Sequence, residues 1–269
     1  MGTEVFVANV LPTTHPTTRK VRAIVAKFSV ILPAAGKSSR FRDKNYKKPF
    51  APLADRAVWL HAAERFLNRS DVIQTQIVID AEDDEMFRMK FGANVAILGI
   101  EVVHGGKDRS DSVMAALTHV SDQADFVAIH DAARPCLVDA WVDEVFAAAK
   151  KGDAAILATP VTSTLKRVKN GVIDETVDRS GVWQAQTPQV FRRQLLIDAY
   201  AKRGNVSATD DAQLVERLGV KVAVVTGSPL NVKITTREDL KFAEAALKAL
   251  PKPNLAGPLH PFADDDKWR

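Results

Sequence analysis

Short apolar runs that alternate with helical patterns constrain the fold of this chain more than any other feature. Five runs have the length and composition of buried strands: residues 28–33, 75–80, 125–131, 154–160 and 221–227. In the segments between them, apolar residues recur at helical spacing. Strands that alternate with helices predict an α/β fold in which helices cover both faces of a mostly parallel sheet.

The alternating pattern extends over residues 27–249, which we interpret as one α/β domain. With 269 residues, 46% of them hydrophobic, the chain is long enough to bury a substantial core. Residues 1–26 lack sustained periodicity and include the stretch PTTHPTTRK, so we expect a flexible extension there. Residues 250–269 are rich in Pro and end in mixed charge, which indicates a tail outside the core.

One segment departs from the alternation. Residues 161–189 are polar and β-prone, and Lys169-Asn170-Gly171 is typical of a tight turn. A hairpin arm at about residues 161–182 fits this pattern better than another strand–helix unit. Exposed strands of this kind commonly pair with a second subunit.

Composition excludes several classes of protein. No apolar run approaches the ~20 residues that span a membrane, and the N-terminus lacks the pattern of a secretory signal. The single cysteine, Cys136, excludes an intrachain disulfide framework and a Cys-rich metal cage. We expect a soluble cytoplasmic protein with no membrane association.

The positive charge of the chain, +4 in total, is concentrated before residue 49. Between Arg19 and Lys27 it indicates a solvated basic tail or, less favoured, a contact with nucleic acid. Between Lys37 and Lys48 it follows the first strand, where it is better suited to hold a polyanionic small molecule. We therefore expect no nucleic-acid partner.

The loop after the first strand, within ILPAAGKSSRF, is a candidate anion site. Ligands of parallel sheets bind at the carboxyl ends of the strands, where backbone N–H groups favour anions. Gly36 has wide backbone freedom, and Ala34 and Ala35 allow close approach. The stretch is not a nucleotide P-loop, because Ile31 stands where that motif needs a glycine. Taken alone, the loop binds phosphate or is simply a polar turn.

The segment HGGKDRSDSV also follows a strand. Gly106 and Ser112 could form a second backbone cradle at the same edge of the sheet. The alternative is a turn capped by Asp108 or Ser110 at the start of a helix.

The segment AIHDAARPC places a carboxylate at the end of a buried strand. Asp131 either caps the following turn or holds Mg²⁺, which typically uses one or two protein carboxylates together with substrate phosphates. His130 has no partner at metal-ligand spacing, and Cys136 lacks the companions of a nucleophile.

The order of these segments is more specific than any one of them. PAAGKSSRF, KKPFAPL, GGKDRSDSV, HDAARP, TVDRSGVWQAQTPQ, ATDDAQLVE and NVKITTREDL together resemble the 2-C-methyl-D-erythritol 4-phosphate cytidylyltransferase family over roughly residues 28–245. HDAARP and TVDRSGVWQAQTPQ are the most specific pair. The resemblance implies a Rossmann-like α/β fold with a protruding β-arm, through which the family forms a homodimer.

The resemblance also implies which residues act. The CTP-binding residues would be Ala34, Ala35, Gly36, Gly106 and Ser112. Arg40 and Lys48 match the two cations at the reacting phosphate, and Asp131 matches the Mg²⁺ ligand. The residues that would hold methylerythritol phosphate are Thr164, Arg179, Thr187, Thr209 and Lys233, some of them on the arm and serving the partner's site. Individually, Arg179, Thr187, Thr209 and Lys233 resemble solvated surface, as does the neighbouring Asp210.

Departures from the family pattern fall in the loops. The spacing from Arg40 to the lysine is one residue longer, and Lys47 stands beside Lys48, so the sequence leaves the choice between the two lysines open. Lys107 replaces a common acidic residue, and Ser38 stands where Gly or Arg often occurs.

The implied reaction transfers CMP from CTP to methylerythritol phosphate and releases pyrophosphate, in the non-mevalonate route to isoprenoid precursors. Two alternatives remain. The acceptor could be another polyol phosphate, such as ribitol 5-phosphate, or the chain could be a non-catalytic nucleotide-binding protein. The presence of Arg40, a loop lysine and Asp131 disfavours the second.

Overall fold

A computed structural model of the chain describes residues 25–36, 38, 41, 43, 46–206 and 208–251. The strands of the central sheet are β1 (Phe28–Pro33), β4 (Val72–Ile79), β5 (Glu101–His104), β6 (Phe126–Ile129), β7 (Ala154–Pro160), β10 (Trp183–Arg192) and β11 (Ala223–Thr226). Two small sheets are formed by β2 (Pro52–Leu53) with β3 (Arg56–Ala57), and by β8 (Leu165–Lys169) with β9 (Val172–Val177). The helices are α1 (Val58–Leu67), α2 (Asp84–Leu98), α3 (Arg109–Leu117), α4 (Asp139–Gly152), α5 (Arg193–Ala201), α6 (Ala212–Glu216) and α7 (Glu238–Ala249).

The central sheet is mostly parallel, as the alternation predicts. Its order is β11-β7-β10-β6-β1-β4-β5. β1 pairs in parallel with β4 and β6, and β10 is antiparallel to both of its neighbours. The carboxyl ends of β5, β4, β1 and β6 therefore meet at one edge of the sheet.

Helices cover both faces of this sheet, because successive side chains of a strand point to opposite sides. Phe28 and Val30 of β1 belong to one buried cluster, which includes Phe146 of α4. The next residue, Ile31, points to the other face and belongs to a second buried cluster, which includes Val113 of α3. Both clusters are apolar, so β1 is buried on each face.

The arm is also present, and it ends in the expected turn. Asn170 and Gly171 have φ angles of 52° and 80°, which a two-residue turn between antiparallel strands requires at both positions. Large apolar side chains on this hairpin stay exposed: Val168 at 58%, Val172 at 69% and Ile173 at 59%.

Several elements of the fold were not anticipated from the sequence, among them the β2–β3 pair, helix α2 and strand β10. Helix α2 buries only Phe87 fully and exposes Met89 and Ile97, so its apolar periodicity is weak. Strand β10 begins at Trp183, just after the predicted arm and within the polar segment 161–189, and it continues into the centre of the sheet. Its register against β7 shifts between Ala185 and Gln189.

None of the helices within the described residues combines the length and apolarity that a membrane crossing requires. Cys136 is a buried free thiol. The predicted extension and tail fall almost wholly on residues 1–24 and 252–269, outside the described residues.

Candidate active site

A cavity of about 730 Å³ opens at the carboxyl edge of the sheet. Its wall includes Ala34, Ala35 and Gly36 after β1, together with Asp80 after β4 and Asp131 after β6. The wall also includes Gly105, Gly106, Lys48 and Lys233. The cavity therefore brings together the three segments in which the sequence places candidate sites.

Close packing explains the glycine pair after β5. A Cβ added to Gly105 would lie 2.7 Å from the Cβ of Ala35 and 2.6 Å from Ser112 Oγ. A Cβ added to Gly106 would lie 2.4 Å from the Cβ of Asp111. Because such contacts exclude a side chain, this stretch presents bare backbone to the cavity.

The start of α3 fixes that backbone. Asp108 is the N-cap, and its carboxylate accepts the N–H of Asp111 at 2.7 Å. Ser112 is fully buried; its hydroxyl donates to the carbonyl of Asp108 (2.8 Å) and accepts the N–H of Gly106 (3.2 Å). Ser112 therefore lies behind the glycine pair rather than in the cavity wall, and its contact with a nucleotide stays a prediction.

Asp131 is the electrostatic centre of the cavity. Its carboxylate lies 2.6 Å from Lys233 Nζ, 3.1 Å from Arg109 Nε and 3.9 Å from Arg134 Nε. Burial alone would raise the pKa of Asp131, but the charges of these three cations outweigh it and lower the pKa below its usual value. Asp131 is consequently ionised at neutral pH.

Arg109 is a residue of this site that the sequence reasoning missed. It lines the cavity, and its Nη2 donates to Asp211 at 2.8 Å. Burial would lower its pKa, yet Asp211 and Asp131 hold that pKa well above the usual value. Its Nη1 is buried and has no hydrogen-bond partner among the described residues. Its place at the first position of α3, beside the glycine pair, could have drawn attention to it.

Thr187 and His130 support Asp131 from behind. His130 Nε2 lies 3.0 Å from the carbonyl of Arg134, so it carries the proton, and Nδ1 accepts from Thr187 Oγ1 at 3.1 Å. Thr187 Oγ1 in turn accepts the N–H of Asp131 at 3.0 Å. Burial lowers the pKa of His130 to about 4, which keeps the ring neutral. Thr187 is thus buried beneath Asp131, and its contact with a substrate stays a prediction.

The two candidate lysines have different surroundings. Lys48 lines the cavity, at the start of a 3-10 turn formed by Lys48–Phe50. The Nζ of Lys47 lies 2.7 Å from Asp83 and 3.9 Å from Asp80. Arg40, the other predicted catalytic cation, lies outside the described residues.

The remaining predicted substrate residues divide between the cavity and the surface. Lys233 lines the cavity. Thr164 and Arg179 are exposed at the base of the arm, where Arg179 donates to the carbonyl of Thr162. Thr209 is exposed in the loop before α6, and its N–H donates to Gln213.

The cavity offers the ionised carboxylate of Asp131 as a ligand for a metal ion. No cluster of three or more His, Cys, Asp or Glu side chains able to hold a metal occurs in the part of the chain that the structure describes. Asp131 is one ionised carboxylate in a cavity of cations. Such a site fits Mg²⁺ that takes its other ligands from substrate phosphates and water.

A mostly parallel sheet whose carboxyl edge holds bare backbone and several cations defines an α/β enzyme of the nucleotide-binding class. The sequence profile of the 2-C-methyl-D-erythritol 4-phosphate cytidylyltransferases matches residues 28–249. The chain belongs to this family, and it is accordingly a nucleotidyltransferase of isoprenoid biosynthesis.

Individual relatives agree. The 2-C-methyl-D-erythritol 4-phosphate cytidylyltransferase of Rhodopirellula baltica is 46% identical, over 82% of this chain and 95% of its own length. That of Clostridioides difficile is 36% identical, over 82% and 93%. The crystal structure of the Thermus thermophilus enzyme superposes with a TM-score of 0.68 at 30% identity, over 82% of this chain and 98% of its own.

Proposed function

We propose that this chain transfers CMP from CTP to 2-C-methyl-D-erythritol 4-phosphate, using the cavity at the carboxyl edge of the sheet. A phosphate oxygen of the acceptor attacks the α-phosphorus of CTP. The bond from that phosphorus to the bridging oxygen of the β-phosphate breaks, and pyrophosphate leaves. The observation that carries this proposal is the set of cations, Lys48, Arg109 and Lys233, that faces a cavity with a bare-backbone loop.

The reaction needs no general base, which agrees with the residues at hand. The second pKa of a phosphate monoester is about 6, so the attacking oxygen is already ionised at neutral pH. His130 is buried and neutral, with both ring nitrogens bonded inside the protein. The difficulty is that one anion approaches another, and cations fixed around the transferring phosphoryl group relieve it.

Each cation has a proposed place. The backbone of Ala34–Gly36 approaches the nucleotide, and Lys48 and Arg40 neutralise charge at the reacting phosphate. We assign Lys48 rather than Lys47 because Lys48 lines the cavity and Lys47 does not. Lys233 would contact the attacking phosphate, supported by Asp131.

Asp131 would hold Mg²⁺, together with phosphate oxygens of CTP. When bound, the ion would neutralise charge on the triphosphate and favour departure of pyrophosphate. Arg109 fixes the orientation of the Asp131 carboxylate through its own second bond to Asp211.

We further propose a homodimer that forms through the arm. An isolated two-stranded hairpin is marginally stable in water, and this one exposes Val168, Val172 and Ile173. Pairing with a second arm would cover them. In such a dimer Thr164 and Arg179 would grip the acceptor phosphate in the partner's cavity, since neither lines the cavity of its own chain.

We also propose the cytoplasm as the location of the enzyme. The chain has one cysteine, and it is buried, so no internal disulfide supports this fold. CTP and a phosphorylated acceptor are substrates of that compartment.

The test is pyrophosphate release by the purified chain with CTP and Mg²⁺. Methylerythritol 4-phosphate and ribitol 5-phosphate are offered in parallel, with a chelator control. We expect turnover with the first acceptor alone and loss of turnover with the chelator. Turnover with ribitol phosphate would keep the proposed mechanism but overturn the assignment of methylerythritol phosphate as the acceptor. Binding of CTP without release from either acceptor would favour a non-catalytic protein.

A further inference from the structure

We propose that Lys47 is a positioning residue that holds Lys48 at the cavity through its ion pair with Asp83. The inference rests on the proposed role of Lys48 and extends it to a neighbour that does not line the cavity. It begins from one contact, the 2.7 Å separation of Lys47 Nζ and Asp83 Oδ2.

Asp83 is mostly buried and lies in regular secondary structure. It ends the short 3-10 turn Ala81–Asp83 that follows β4, and its side chain is 11% exposed. Asp80 caps this turn, its carboxylate accepting the N–H of Glu82 at 3.1 Å. Helix α2 follows directly and buries Phe87, whose ring lies 5.4 Å from that of Phe50. The segment carrying Lys48 therefore contacts the chain after β4 at two points: Lys47 pairs with Asp83, and the ring of Phe50 packs against Phe87 of α2.

The other side of Lys48 is tied to the candidate nucleotide loop. The N–H of Lys48 donates to Ser38 Oγ at 3.2 Å. Ser38 has a φ angle of 47°, a left-handed conformation that is unusual for a residue with a side chain. Ser38 also lines the cavity, so this bond couples the position of Lys48 to the loop.

Backbone geometry explains how Lys47 can direct its neighbour. Lys47 is extended, with φ −72° and ψ 147°. This is the polyproline II conformation, in which successive side chains differ in direction by about 120°. With Lys47 held toward Asp83, Lys48 is directed to the cavity. Without that pair, the backbone between Ser38 and Phe50 gains freedom and the ammonium group of Lys48 samples more positions.

The Lys47–Asp83 pair is partly buried, with side chains 26% and 11% exposed, so breaking it should lower the melting temperature whether or not it positions Lys48. If the pair is purely structural, its loss leaves turnover of the folded enzyme unchanged. If it positions Lys48, its loss lowers kcat, because small misplacements of a catalytic group are costly. The measurement must separate these effects.

We would measure kcat, the KM for each substrate and the melting temperature for Lys47→Met, Asp83→Asn and their double variant. Because the two residues act as one pair, we expect each single variant to lose about tenfold in kcat, and the double variant to lose no more than either. Lys47→Arg should restore most of the turnover. Arg88→Met is the matched control, since it breaks an exposed ion pair with Asp84 on α2 and should leave kcat unchanged.

Lys48→Ala separates this inference from the proposed function. If Lys48→Ala keeps normal turnover, the assigned role of Lys48 fails. If Lys48→Ala loses turnover and Lys47→Met keeps it, only the positioning inference fails. Losses that multiply in the Lys47→Met/Asp83→Asn variant would also overturn it, because the two side chains would then act separately.

Discussion

The cavity and the arm of this chain are built in opposite ways. In the cavity, Asp131 has a side chain that is 8% exposed and is surrounded by three cations of its own chain. On the arm, the two strands pair only with each other, and Ile173 is 59% exposed. The charge of Asp131 is thus balanced within one chain, whereas the arm packs little of its apolar surface against its own chain. In the proposed function, the nucleotide would bind to residues of one chain, and the acceptor would in addition contact the arm of a second chain.

The largest effect should come from the cavity. Asp131→Asn keeps the shape of the side chain but removes the charge that holds Lys233 and Arg109, together with the proposed metal ligand. We expect turnover to fall by about 10³-fold, measured as pyrophosphate release.

The matched control for that variant is Asp153→Asn, which removes a carboxylate at the opposite edge of the sheet. Asp153 has a φ angle of 64°, which Asn tolerates, so the fold should be unaffected. Near-normal turnover of Asp131→Asn would remove Asp131 from the proposed site.

A substitution on the arm should have a smaller effect, seen as dissociation of the proposed dimer. Ile173→Asp places a charge on the surface that we expect the partner to cover, and burying it is unfavourable. We expect the dissociation constant of the dimer to rise about a hundredfold, measured by sedimentation. Met89→Asp, at a 77% exposed position of α2, is the control and should not change assembly. An unchanged dimer in Ile173→Asp would mean that the arm is not the interface.

The smallest effect should be on the pH dependence of stability, and it should come from His130, which lies beneath Asp131. The pKa of His130 is about 4 in the folded chain, against an ordinary value near 6.5. Below pH 6.5 the unfolded chain takes up a proton that the folded chain does not, so stability falls as the pH is lowered toward 4.

We expect this histidine to cost about 1.4 kcal/mol of unfolding free energy at one pH unit below 6.5. Urea denaturation of His130→Gln across this range should show a shallower decline than the unsubstituted chain. His119→Gln, at an exposed position, should retain the original slope. Equal slopes in all three proteins would contradict the neutral assignment of His130.

The sequence predicts the framework of the cavity because its determinants are local. Apolar runs such as residues 28–33 mark the buried strands, and the segments after them meet at one edge because parallel strands share a direction. The turn at Asn170-Gly171 is equally local, since both residues must adopt positive φ. Asp131 could be singled out because it ends such a strand.

Other features depend on contacts that are distant in sequence. The bond of Arg109 to Asp211 joins residues 102 positions apart, and no spacing rule indicates it. The choice between Lys47 and Lys48 depends on which of the two lines the cavity, and the cavity is formed by segments distant in sequence. The partners of Thr187 and Ser112 are likewise set by packing, which places both hydroxyls behind the cavity wall.

The central claim is that each active site combines the cavity of one chain with the arm of another. The direct test mixes Lys48→Ala with Arg179→Ala, each expected to be inactive alone, under conditions of subunit exchange. A mixed dimer would hold one intact site and one doubly altered site, so random assortment predicts recovery of about a quarter of the original turnover. No recovery, with mixed dimers demonstrated by differently tagged subunits, would contradict the claim.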